Sequence, residues 1–383
     1  MKFTSLQTVA AVVALGLLVC GRAHSENEVD LRGGFGYDSN AFELNPVIGE
    51  REGIYAELDA TVSAEGKAAK GWTKRGDIGA TARLFESGMS DADEGRAYIR
   101  ARGDSSEKYS EHGWGWSLRT QLRDQTYVSR LTGLVATDAS GNDIGDRYDS
   151  HASDLRAGWR LPGGRFGRLS LEGSALYKNY EQDYEQFGLE RLDYYEYGLT
   201  PEYQLGGRDR HLRIRLPGEQ RKYRDRRISN AAGDPLPGTN LEYRSYGIDA
   251  RYRHPISRRS TLELTGGYDI REDNGVDYAG RTQWNAGIEW TWRHAGRSRL
   301  AIEAQYNSRV LDQQVTGDPT VNDEVPEKKG FDVTVRYARP FPFLDIRGFS
   351  LVAEARWESY DNNDDIRFTY DRLIGSIGIR QEF

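Results

Sequence analysis

The charged chemistry of this chain is carried by arginine. It holds 43 Arg against 9 Lys, and many sit at alternate positions. Arg96, Arg100 and Arg102 share one phase, as do Arg119 and Arg123, Arg156 and Arg160, Arg213 and Arg215, and Arg251 and Arg253. Arg83 and Arg356 keep the same phase in their own segments. Carboxylates follow the same spacing: Glu57, Asp59, Asp77, Asp154, Glu172, Glu196, Glu263, Asp269, Glu289, Glu303, Asp332 and Glu354. A guanidinium is a planar fork that pairs carboxylates bidentately. Such rows either brace a wall by cross-strand pairing or line a conduit and guide an anionic solute. The sequence leaves both open. Tyr98 and Tyr194 fall in the same phase, as sugar-stacking rings or as ordinary wall. Arg221, Lys222, Arg224, Arg226 and Arg227 form the densest basic cluster. Three roles fit it: binding lipopolysaccharide phosphates, steering an anionic polymer, or standing solvated at a rim.

Residues suited to bond-making chemistry are few. His151 and Ser153 share a face and invite a hydrolase reading, but no oxyanion or nucleophile motif follows them. His112, His151, His211, His254 and His294 lack metal-ligand spacing. The loop acids Asp91, Asp93, Glu94, Asp361, Asp364 and Asp365 offer oxygen ligands without EF-hand spacing. The one cysteine, Cys20, excludes a disulfide scaffold. The expectation is a protein that is not an enzyme, with no cofactor and no metal. Net charge is −7, which gives no electrostatic footprint for nucleic acid.

The elements that position these charges repeat with period two. Ile54, Ala56, Leu58, Ala60 and Val62 alternate with Tyr55, Glu57, Asp59 and Thr61. Trp284, Ala286, Ile288, Trp290 and Trp292 alternate with Asn285, Glu289 and Arg293, and Phe349 to Trp357 does the same. Successive strand residues point to opposite faces, so each segment has an apolar and a charged side. Sixteen such segments begin near Val29, Ile54, Asp77, Arg96, Trp114, Ser153, Arg168, Leu192, Leu212, Tyr243, Thr261, Arg281, Arg299, Phe331, Phe349 and Phe368. Pro201 and Pro217, each lacking a ladder donor, predict a bulge or a weak seam.

Mean hydropathy is −0.74, and no internal apolar run reaches the roughly 18 residues of a spanning helix. A strand barrel needs only every second residue to be apolar. Aromatics gather at the ends of the apolar faces: Trp114, Trp116, Tyr195, Tyr197, Trp290, Trp292, Tyr337 and Trp357. Tyr and Trp suit a membrane interface, being apolar bodies with a polar tip. Connections alternate between short turns, such as Gly206–Arg210, and longer loops, such as Thr132–Asp146. The fold expected is an all-β, transmembrane antiparallel β-barrel of about 16 strands. Short turns face the periplasm and longer loops the exterior. Residues 1–25 read as a signal peptide, cut after Ser25, and residues 26–383 as the barrel.

Gly36-Tyr37-Asp38-Ser39-Asn40-Ala41-Phe42-Glu43-Leu44 resembles the opening of "YDSN-x-F" outer-membrane barrels. These accompany exopolysaccharide and capsule systems, and similar openings occur in surface lipoprotein assembly barrels. The terminal Phe383, in phase with Leu373, Gly375, Ile377 and Ile379, resembles the recognition signal of the barrel-assembly machinery. The resemblance implies a Gram-negative outer-membrane conduit that exports a charged exopolysaccharide or capsule polymer, gated by a loop such as Thr132–Asp146. A general or anion-selective diffusion porin and a lipoprotein-translocating barrel are the alternatives. The implied partners are outer-membrane lipid and lipopolysaccharide, the assembly machinery, and periplasmic polysaccharide-export components.

Overall fold

The computed structural model describes residues 26–44, 49–67, 72–105, 111–129, 134–138, 140–180, 191–207, 209–228, 230, 235–275, 280–294, 297–311, 327–341, 348–362 and 369–382. The strands are β1 (Glu26–Asp38), β2 (Gly53–Lys67), β3 (Thr73–Phe85), β4 (Glu94–Asp104), β5 (Gly113–Gln125) and β6 (Ser150–Arg160). They continue with β7 (Arg168–Tyr180), β8 (Tyr194–Gly206), β9 (His211–Arg215), β10 (Gly218–Tyr223), β11 (Glu242–Ser257) and β12 (Ser260–Asp273). The last five are β13 (Arg281–Arg293), β14 (Arg299–Val310), β15 (Glu327–Pro340), β16 (Phe349–Asn362) and β17 (Tyr370–Glu382). Each pairs antiparallel with its neighbours, and β1 pairs with β17, so the sheet closes on itself.

β9 and β10 are halves of one crossing, so the barrel has sixteen crossings. The gap between them is Leu216 and Pro217. β8 and β11 pair with both halves at an unbroken offset: Glu202 faces Arg215 and Leu199 faces Gly218. Leu216 donates its N–H to the Pro201 carbonyl at 3.0 Å, and the Pro217 carbonyl accepts from Gly247 at 3.0 Å. The bulge expected at these prolines is therefore absent. Pro217 simply omits one donor and the ladder continues. The register shift in this region lies instead between Pro255 and Ser257.

One face of every strand is apolar and points outward. Leu199, Ile248, Ile288 and Ile377 are exposed mid-strand. Aromatics flank them at both ends. Tyr177 stacks on Tyr195, and Trp284 packs on Tyr306, toward the long loops; Trp114 stacks on Trp159 at the turn end. A closed sheet leaves no unpaired backbone edge, the condition for crossing hydrocarbon. An even number of crossings, an apolar belt, aromatic girdles, and short turns opposite long loops define an outer-membrane β-barrel, and this chain is one. The signal-peptide segment and Phe383 lie outside the described residues.

Closure is stitched by residues of the Gly36–Leu44 motif. Asp38, fully buried, accepts three bonds from Arg372 of β17, Nε–Oδ1 at 2.9 Å, Nε–Oδ2 at 3.2 Å and Nη2–Oδ2 at 2.5 Å. Ser39 exchanges two bonds with the Leu373 backbone, and the Asn40 side chain both donates to and accepts from the Leu44 backbone. The motif thus clasps the first strand to the last. At the turn end, Arg380 grips Asp30 across the same seam.

The β16 side of this seam depends on a glycine. Gly348 has φ +82°, and a Cβ there would run into the Glu382 carbonyl; its own carbonyl accepts the Glu382 N–H at 3.1 Å. Gly348→Ala is expected to destabilise the barrel by more than about 1 kcal/mol, read as an earlier urea midpoint in detergent or bilayers.

Candidate functional site

The face opposite the apolar belt lines the lumen, and the cross-strand register assigns each charge to it. Arg83 lies opposite Glu57, Asp59 opposite Arg32, Arg96 opposite Arg123, and Arg119 opposite Asp154. The same phase puts Arg100, Arg102, Arg156, Arg160, Glu172 and Glu196 inside. Arg213, Arg215, Arg251, Arg253, Glu263, Asp269, Glu289, Glu303, Asp332, Glu354 and Arg356 also point inward.

Many of these charges brace one another. Arg83 reaches Glu57 at 3.0 Å, and Glu94 bridges Arg96 at 2.5 Å and Arg123 at 2.9 Å. Arg156 pairs with Asp154 at 3.0 Å and Arg251 with Glu263 at 2.5 Å. Arg213 and Arg215 share Glu202, and Arg215 also approaches Glu172 at 3.9 Å. Arg356 spans Asp332 and Glu358, while Arg336 spans Glu303 and Glu354.

Three arginines stand apart. Arg100, Arg102 and Arg119, on β4 and β5, have no carboxylate within 4.0 Å among the described residues. Arg100 and Arg119 lie directly opposite each other, an arrangement that like charges disfavour. Both guanidinium groups approach the ring of Tyr98, at 5.9 and 5.0 Å. Tyr98 shares a hydrogen bond with Thr61 at 3.2 Å. The Arg119 Nε is buried without an acceptor. Tyr98 is therefore a seat for arginines rather than a free stacking surface.

The loop end of the lumen is aromatic. Tyr194, Tyr223 and Tyr243 are buried against one another with Leu241. Arg221 lies over Tyr194 and Arg271 over Tyr243, each at 4.3 Å. The basic cluster of β10 is consequently dispersed. Arg221 points inward to Glu196 at 2.7 Å, and Lys222 points outward to Glu242 at 3.0 Å. Arg224 lies near Asp225, and Arg226 lies over Tyr223. Arg227 follows in the loop after β10 and is itself engaged in an interaction. Sequence reasoning passed over Arg271, Arg281, Arg309 and Arg336. The first three sit at strand ends, where the alternation dissolves into loop; counting from outward Tyr268 and Ile270 places Arg271 inside.

Two recesses notch the wall. One of about 480 Å³ is lined by Arg221, Arg271, Arg281, Glu196 and Asp269. The other, of about 270 Å³ toward the turns, is lined by Arg102, Arg160, Asp104 and Glu202. Arg156, Arg215, Glu172 and Thr200 border both, so the two form a groove running down the wall. At the mouth, the loop expected to gate runs over 126–149, with 130–133 and 139 outside the described residues. It closes on itself through Ala136 N–H to Tyr127 and Ile144 N–H to Ala136, both 2.9 Å. The Asn142 side chain, with backbone N–H groups of the same turn, holds the Asp138 carboxyl below its usual range. Tyr127 and Tyr148 from this loop share a recess with Arg83, Arg123 and Arg372.

The remaining candidates lie elsewhere. His151 and Ser153 face outward, Nε2 to Oγ 3.5 Å, with Thr120 at 3.2 Å from Ser153. Asp93 accepts the Phe85 N–H while Glu94 turns into the lumen, so the loop acids there diverge. Asp361 is in β16, and Asp364 and Asp365 lie outside the described residues.

No family model and no curated protein matches the chain. Among solved structures it is similar to Pseudomonas aeruginosa OccK2 (OpdF), at 12% identity and TM-score 0.48, covering 94% of this chain and 98% of that one. It is also similar to Acinetobacter baumannii OccAB1, at 10% identity and TM-score 0.44, covering 93% and 95%. An OmpT loop-deletion mutant of Vibrio cholerae matches at 11% identity and TM-score 0.44, covering 94% and 98%.

Proposed function

We propose that the barrel is a passive outer-membrane channel for small charged, hydrophilic solutes, with anions guided along the β4–β5 arginine wall. The observation that carries this is the trio Arg100, Arg102 and Arg119, which have no carboxylate within 4.0 Å among the described residues although Asp77 and Asp154 share the same wall. An arginine that only braces the wall has a carboxylate in reach. These three half-buried side chains concentrate positive charge on one stretch of the lumen wall, the kind of arrangement that selects charge in pores. The groove past Arg156 and Arg215 extends the track.

Export of a charged exopolysaccharide rested on the Gly36–Leu44 resemblance. In this barrel Asp38, Ser39 and Asn40 are occupied in closing the seam, a structural role that leaves the cargo unspecified. Loss of surface polysaccharide on gene deletion would favour export over diffusion. Outward Lys222 and Arg244 flank the loop-side girdle and suit contact with lipopolysaccharide.

The channel is tested in planar bilayers under a potassium chloride gradient. Replacing Arg100 and Arg119 by Gln is expected to move the reversal potential toward cation preference. An unchanged reversal potential would remove the arginine wall from selectivity.

A further inference from the structure

The wall opposite the arginines carries the reverse arrangement. Glu263 of β12, Glu289 of β13 and Glu303 of β14 lie directly opposite one another on adjacent strands. Glu263 is satisfied by Arg251, and Glu303 by Arg336. Glu289 receives only the Thr291 hydroxyl, at 2.8 Å, and has no cation within 4.0 Å among the described residues. Counting round the closed sheet, with β9 and β10 as one crossing, β13 is eight strands from β4, and β14 is eight strands from β5. Eight is half of sixteen. The Arg100–Arg119 pair and the Glu289–Glu303 pair are therefore antipodal, and both lie at or just past mid-strand toward the turns.

Like charges directly opposite on neighbouring strands are destabilising, and this barrel keeps such a pair on each wall with opposite signs. Glu289 on one wall and Arg100 and Arg119 on the other, none in an ion pair within 4.0 Å among the described residues, face each other across the lumen and set up a transverse field. A simple anion is drawn to one wall and repelled by the other. A solute bearing both charges gains at both, because its dipole aligns across the lumen.

We infer that the channel favours zwitterionic solutes, those carrying an ammonium and a carboxylate, such as amino acids and short peptides. This rests on the channel reading above and names its solute class. It assigns Glu289 and Glu303 the ammonium side and Arg100 and Arg119 the carboxylate side.

The test compares uptake into proteoliposomes of glycylglycine and N-propionylglycine, which differ in an ammonium against a methyl group. Glycine N-ethylamide serves as the cationic counterpart. Glycylglycine is expected to enter on the order of tenfold faster than either, the low end of electrostatic focusing. Glu289→Gln with Glu303→Gln should bring glycylglycine down to the N-propionylglycine rate without slowing the latter. Arg100→Gln with Arg119→Gln should slow both carboxylates. Equal entry of glycylglycine and N-propionylglycine in the unaltered protein overturns the inference while leaving the channel standing. A preference indifferent to the glutamate replacements also overturns it. Absence of any conductance in bilayers overturns the channel itself.

Discussion

Replacing Arg372 by Met is expected to cost about 3–5 kcal/mol, the range for stranding a buried charge. Three carboxylates approach this one guanidinium. Asp38 receives it bidentately, Glu43 at 3.3 Å and Glu358 at 3.9 Å. Asp38 is fully buried, and its remaining donor is the Asn40 N–H at 3.1 Å. Without Arg372 the buried Asp38 carboxylate has no cation among the described residues, whereas Glu358 keeps Arg356 at 2.8 Å and Glu43 is partly exposed. Refolding into bilayers, followed by the mobility of unheated protein on a gel, reads the loss directly. Arg380→Met is the control at the other end of the seam. Its partners Asp30 and Glu382 are partly exposed, and exposed pairs contribute about 1 kcal/mol or less. Asp38→Leu combined with Arg372→Met should recover most of the loss, since it removes the one buried carboxylate left without a cation, Glu358 keeping Arg356. A single Arg372→Met barrel as stable as the parent would refute the clasp.

The alternation that made the barrel legible is a demand of the solvent on each side. Lipid asks of Trp284, Ile288 and Trp292 only that they be apolar, and water asks of Glu289 and Arg293 only that they be polar. Period two therefore survives in the sequence without any partner being known. The clasp is a different kind of fact. Asp38 and Arg372 are 334 positions apart, and nothing local marks them as a pair. Asp38 stood out in the sequence only as part of a resemblance, and Arg372 did not stand out. The same holds for the opposed walls. Each of Arg100, Arg119 and Glu289 is visible as an inward charge. Their antipodal placement follows only from closure and a correct count through the interrupted β9–β10 crossing.

The outward face admits a sharper test than the lumen. Ile288 is 46% exposed and lies mid-strand on β13, paired with Leu264 and Ala304. In a water-soluble sheet a residue so exposed would accept Arg at no cost. In a barrel it meets acyl chains, and Ile288→Arg is expected to cost about 2–4 kcal/mol near the bilayer midplane. Thr265→Arg is the matched control. Thr265 faces the lumen next to Gly287, so its guanidinium stays in water. Stability should hardly change while single-channel conductance falls, because the new side chain occupies the lumen. The two are compared by urea unfolding from bilayers of matched thickness. Moving the Ile288 substitution toward the girdle, at Trp292, should shrink the cost to about 1 kcal/mol or less, since the penalty decays toward the interface. That depth dependence separates lipid exposure from a packing defect, which would show no relation to height along the strand. An Ile288→Arg barrel that unfolds at the parent midpoint would mean that this face does not meet lipid.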